Sequence, residues 1–138
     1  MNEEIQESTI FANLVFVVMT TIYSLTFQLM LLFSNSLITI GAAAAAWLVL
    51  LYTLITRRGP WVLIYAKVHR ALTGVNVLGI TRVERLLLMP YVINYAATMM
   101  LAALAGHPLL SLALRIMVTT PMFIMIGEFA ALSRIMMN

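Results

Sequence analysis

RRGPWVLIYAKVHRALTGVNVLGITRVER, residues 57–85, holds six of the eight Lys and Arg residues of this 138-residue chain and lies between two pairs of long apolar runs. With 63% hydrophobic and 9% charged residues and a mean hydropathy of +1.02, the chain cannot furnish the charged surface of a soluble domain. Lipid is its expected solvent. The basic stretch then orients it, because Lys and Arg stay preferentially on the cytoplasmic side while acidic residues count for little.

Working outward, residues 10–33 and 37–56 precede the basic stretch, and 86–105 and 109–133 follow it. At about 1.5 Å rise per residue, each can cross roughly 30 Å of hydrocarbon. Ser34, Asn35 and Ser36 are helix-capping types between the first two runs, and Gly106, His107 and Pro108 form a stop and restart between the last two. Links this short predict two antiparallel hairpins. Arg57 and Arg58 suit the negative end of the second helix, with Gly59 as its left-handed close and Pro60 as its stop. Thr81 and Glu84 have capping-box spacing, which starts the third span near Arg82. Pro90 and Pro121 fall inside spans three and four, where each removes one backbone hydrogen bond. The expected fold is all-α and polytopic: one four-helix transmembrane domain over residues 1–138, its hairpins joined by an amphipathic interfacial helix within the 57–85 connector. The acidic start at Glu3, Glu4 and Glu7 lacks the basic region of a signal peptide. Both termini are expected in the cytoplasm, in a bacterial inner membrane.

Within the connector, Trp61, Ile64, Tyr65, Val68 and Leu72 share one helical face, with Lys67 and Arg70 opposite. Such a helix is expected to lie in the interface, Trp61 and Tyr65 at headgroup depth and Lys67 and Arg70 near anionic lipid at the cytoplasmic face. Gly74 and Gly79 bracket a flexible re-entry into span three.

Polar residues inside the spans fall in stripes. Asn13, Thr20, Ser24 and Gln28 share a face of span one; Tyr91, Asn94, Tyr95 and Thr98 share a face of span three; Ser111, Arg115 and Thr119 share one on span four. Gly41 and the alanines 42–46 make a smooth surface on span two, so Gly41, Ala42, Ala45 and Ala46 are the expected helix-packing face, within the bundle or as an oligomer contact. Gln28, Thr98 and Arg115 lie about 8 to 10 Å below the outer boundary and are expected to meet as one polar cluster. A guanidinium at that depth must snorkel, pair with an acid of another subunit or bind an anion. Glu128, the only acid within the spans, is placed about 20 Å nearer the cytoplasm. There it is expected to pair with Arg57, Arg58 or Arg85, with a proton or cation site as the alternative.

Paired carboxylates, nucleophile and base pairs, metal-ligand spacings and phosphate loops are all missing, so neither an enzyme nor a cofactor is expected. The methionines crowd the second half without Cys or paired His, which reads as packing rather than copper binding. A basic balance without a nucleic-acid motif belongs to the membrane edge, so no nucleic-acid partner is expected. These features together suggest a non-catalytic integral subunit or accessory protein of a larger inner-membrane assembly for secretion, transfer, transport or respiration, whose partners are other membrane subunits or itself. The alternative is a small homo-oligomeric transporter or channel, its path lined by spans one, three and four.

Overall fold

A computed structural model of the protein describes residues 2–33, 36–74, 79–104 and 108–137. They form five helices: α1 (Asn2–Phe33), α2 (Leu37–Thr56), α3 (Pro60–Thr73), α4 (Arg82–Ala103) and α5 (Pro108–Met137). Four of these, all but α3, are long and apolar enough to cross a membrane. That length and composition mark a multi-pass membrane protein.

The helix ends follow local chemistry. Ser36 caps α2, its hydroxyl accepting from Thr39 N at 3.2 Å. Thr81 caps α4 in a complete capping box: Thr81 N donates to Glu84 Oε1 at 3.0 Å, and Glu84 N donates to Thr81 Oγ1 at 3.1 Å. Gly74 closes α3 in the left-handed conformation. Ser34, Asn35, Gly106 and His107, expected as turn residues, lie outside the described residues, as does most of the re-entry before Gly79.

The close of α2 departs from expectation. Arg57, not Gly59, takes the left-handed position, with φ 62°, a conformation that costs a residue with Cβ about 1 to 2 kcal/mol. Two bonds hold it there: Ile80 N donates to the Arg57 carbonyl at 2.9 Å, and Arg57 Nε donates to the Ile80 carbonyl at 2.8 Å. This reciprocal pair ties the end of α2 to the entry of α4 and makes a neck below which α3 is looped out. Gly79 sits so close to the Arg57 carbonyl that a Cβ would collide with it. Gly59, at φ 124°, precedes α3 instead, and Pro60 opens that helix rather than merely stopping the last one.

α1 packs against all four other helices, and α4 packs against α1, α2 and α5. α2 and α5 flank this central pair and, among the described residues, do not pack on each other. α1 and α4 run in the same direction, since Thr21 meets Tyr91 and Gln28 meets Thr98, both at the same offset along the chain.

Because lipid tails are as apolar as leucine, helices associate in lipid through close packing and hydrogen bonds, each such bond contributing about 0.6 kcal/mol on average. α2 shows both. Its buried positions are Ala43, Ala46, Leu50 and Thr53. Tyr95 of α4 donates to the Ala43 carbonyl at 2.6 Å, and Tyr23 of α1 donates to the Ala46 carbonyl at 2.8 Å. Alanine leaves these carbonyls uncovered, and each has a second lone pair beyond its helical bond. Trp47 Nε1 returns a bond to the Val92 carbonyl of α4 at 3.0 Å. The packing face within the chain is therefore corrected: Ala46 belongs to it, while Gly41, Ala42 and Ala45 are exposed.

α3 is corrected in the same way. Trp61 and Tyr65 are 6% and 1% exposed, packed inward on α1 rather than facing lipid. Trp61 stacks obliquely on Tyr23 at 4.8 Å between centroids, and Tyr65 meets Phe16 edge-on at 5.0 Å. α3 thus returns along α1, from the level of Tyr23 toward Ala12. Its outward face carries Leu63, Ile64, Lys67 and Arg70. The Tyr65 hydroxyl reaches the Ala12 carbonyl at 3.4 Å. Burial, and next the neighbouring Glu84, push this phenol above its ordinary range.

Candidate functional site

Polar chemistry concentrates where α1, α4 and α5 meet. On α1, Asn13, Thr20, Thr21, Ser24 and Gln28 are all buried, as are Tyr91, Asn94, Tyr95 and Thr98 on α4. Thr21, Ser24 and Gln28 repeat at the spacing of Tyr91, Asn94 and Thr98, so two parallel helices bring matching polar faces together. Thr20 and Thr21 also bond their own helix, donating to the carbonyls of Phe16 at 2.8 Å and Val17 at 2.7 Å.

Asn94 is the hub. Its Nδ2 donates to Gln28 Oε1 at 3.2 Å and to the Met117 carbonyl of α5 at 3.1 Å. Both partners are acceptors, which fixes the orientation of the amide. The Met117 carbonyl is available because Pro121, four residues on, has no N–H to occupy it. A proline in α5 thereby creates the acceptor through which α4 is joined to α5. Thr98 Oγ1 lies 2.8 Å from the Asn94 carbonyl and 3.4 Å from Gln28 Oε1. Its single hydrogen serves the shorter contact. Ser24 Oγ, Gln28 Nε2 and Asn94 Oδ1 are buried in this seam without a hydrogen-bond partner.

Gln28 and Thr98 of the expected cluster therefore come together, and Arg115 does not join them. Ser111, Arg115 and Thr119 are exposed, on a side of α5 turned away from the seam. Thr119 satisfies itself on the Ile116 carbonyl at 2.8 Å; the guanidinium has no such local outlet. The residue that replaces Arg115 in the cluster is Asn94, which shared the face of Thr98 in the sequence.

Glu128 is corrected as well. It forms no pair with Arg57, whose Nε is held by the Ile80 carbonyl, nor with Arg58 or Arg85, both exposed. It lies instead on the stretch of α5 that packs with Tyr91 and Val17, and its Oε1 is buried without a partner. Tyr91 is packed among Met125, Phe129 and Leu132, the residues that bracket Glu128 on α5. Among the described residues no group of three or more His, Cys, Asp or Glu side chains could hold a metal ion. No family model matches the chain, and no curated protein or solved structure matches it either.

Proposed function

We propose that this protein is a non-catalytic integral subunit or accessory protein of a larger membrane assembly, and that α5 is the face by which it docks. The observation that carries this reading is the outward stripe of Ser111, Arg115 and Thr119 on a helix otherwise apolar enough to span. A guanidinium facing lipid about 8 to 10 Å inside the outer boundary costs up to about 3 kcal/mol, the insertion-scale value for the helix centre. A transmembrane helix of a different protein, with a carboxylate at the depth of Arg115, would remove that cost. A second copy would not: in the same orientation it sets Arg115 against Arg115 at equal depth, and Glu128 lies 13 residues along the helix.

In this reading α1–α2 and α4–α5 are antiparallel hairpins in a bacterial inner membrane, with both termini and the Arg57–Arg85 connector cytoplasmic. The outward face of α3 then rests on lipid through Leu63 and Ile64, and Lys67 and Arg70 meet anionic headgroups.

A photo-crosslinking residue placed at Ser111 or Thr119 in native membranes tests the docking face. The expected product is one different membrane polypeptide in fixed ratio, lost when Arg115 is also changed to Leu. Recovery of lipid adducts alone, or of a pure homo-oligomer that moves solute in liposomes, would sink the subunit reading.

A further inference from the structure

The neck between α2 and α4 encloses a cleft of about 360 Å³, lined by Thr56, Arg57, Arg58, Gly79, Ile80 and Thr81. It lies where two of the apolar helices end, α2 at Thr56 and α4 at Arg82, which is the depth of the lipid headgroups. Two arginines bring their side chains to this one cleft. Arg57 is anchored through Nε on the Ile80 carbonyl at 2.8 Å, and its two terminal nitrogens have no partner among the described residues. Arg58 is laid over Gly79: a Cβ added to that glycine would stand 3.5 Å from the Arg58 Cγ. Its guanidinium is likewise without a partner among the described residues.

Thr81 adds a hydroxyl. Its Oγ1 accepts from Glu84 N at 3.1 Å, which leaves the hydroxyl hydrogen with no acceptor among the described residues. Thr56 is already occupied, donating to the Tyr52 carbonyl at 2.7 Å and accepting from Arg58 N at 3.2 Å. No acid offsets the charge of the cleft. Glu84, the one acid in residues 57–85, is buried, with Oε1 held by Thr81 N at 3.0 Å.

We propose that this cleft is a binding site for a phosphate group, held by the terminal nitrogens of Arg57 and by the guanidinium of Arg58, with the Thr81 hydroxyl as a further donor. Each guanidinium presents a planar fork that matches two phosphate oxygens. An anion here also offsets the repulsion between two adjacent cations. The left-handed close of α2 then has a reason. Glycine is the usual residue at such a position, but glycine would supply neither the side-chain bond to Ile80 nor a cation in the cleft. The site is separate from Lys67 and Arg70 on the outward face of α3, and it is independent of what docks on α5.

Native mass spectrometry of the full chain in detergent micelles tests the site, with phosphatidylglycerol and inorganic phosphate as separate probes. A single retained phosphatidylglycerol that added inorganic phosphate does not displace is the expected result, and it identifies a lipid headgroup as the source. Displacement by inorganic phosphate would keep the site and identify a soluble anion instead. Arg58→Gln, at an exposed position with no side-chain bond to lose, should weaken retention of the bound probe about ten- to a hundredfold, the loss of one charge-assisted hydrogen bond. Arg58→Lys, which keeps the charge but not the fork, should fall between. Lys67→Gln combined with Arg70→Gln should leave retention unchanged. Binding of neither probe would overturn the proposal, and so would a loss from the α3 pair as large as that from Arg58→Gln, since the chain would then attract anions only through its general basic charge.

Discussion

The α1–α4 seam and the stripe on α5 are built from the same kind of periodicity, yet one is sealed inside the bundle and the other faces out. Ser24 and Gln28, like Asn94 and Thr98, stand one helical turn apart and are buried. Ser111, Arg115 and Thr119 also stand one turn apart and are exposed. The difference lies in what each stripe can bond. Amides at matching heights on two parallel helices can bond each other, so Gln28 accepts from Asn94 with Thr98 alongside, although Ser24 Oγ, Gln28 Nε2 and Asn94 Oδ1 keep no partner. A guanidinium cannot enter that seam, because its five donors would displace the amides and its charge would find no carboxylate there. Helical spacing reveals that a polar face exists; the chemistry of the face across from it decides which way it turns.

Asn94→Leu is the strongest way to break the buried member of this comparison. It removes both bonds from Nδ2 and leaves Gln28 Oε1 and the Met117 carbonyl poorer by one donor each. Interhelical bonds in membranes average about 0.6 kcal/mol and reach about 1.7. A loss of about 1 to 3 kcal/mol is therefore expected, read by unfolding in mixed micelles. No loss would mean that the seam is held by packing alone.

Much of the fold was readable beforehand, for reasons that can be named. The four spans follow from hydropathy, the start of α4 from Thr81 and Glu84, and the two inward seams from polar residues at helical spacing. Besides Arg115 and Glu128, three placements were not readable. In the run from Gly41 to Ala46 every side chain is small, so no period marks a face, and the choice falls to the hydroxyls of Tyr23 and Tyr95 on other helices. In α3, Trp61, Ile64 and Tyr65 are all apolar neighbours on the wheel; Tyr23 and Phe16 select the aromatic pair and leave Ile64 outside. Left-handed Arg57 depends on Ile80, a partner distant in sequence that no local signal at the end of α2 announces.

A smaller effect sharpens the link between the seam and α5. Pro121→Ala restores an N–H one turn beyond Met117, and the carbonyl that Asn94 now serves regains its own helical donor. Asn94→Leu should then cost less in the Pro121→Ala background than in wild type. The expected coupling is about 0.6 to 1.7 kcal/mol, the range for one interhelical bond, from a double-mutant cycle in the same unfolding assay. Simple additivity would show that the proline shapes α5 without supplying the acceptor.

The smallest stability effect should come from the residue whose charge looks most out of place. Arg115→Leu removes no bond among the described residues, where its side chain is exposed and outside the seam. The isolated protein should change by no more than about 0.5 kcal/mol, as for surface positions in general. Any small change should be toward greater stability, since leucine suits lipid better than a guanidinium does. The same substitution should abolish crosslinking from Ser111 and Thr119 to a partner. Asn94→Leu and Arg115→Leu are thus opposites: the first weakens the bundle while sparing the outer face of α5, and the second spares the bundle while removing what that face offers. If Arg115→Leu destabilised the isolated chain by more than 1 kcal/mol, the guanidinium would be serving its own bundle, and the division between seam and stripe would fail.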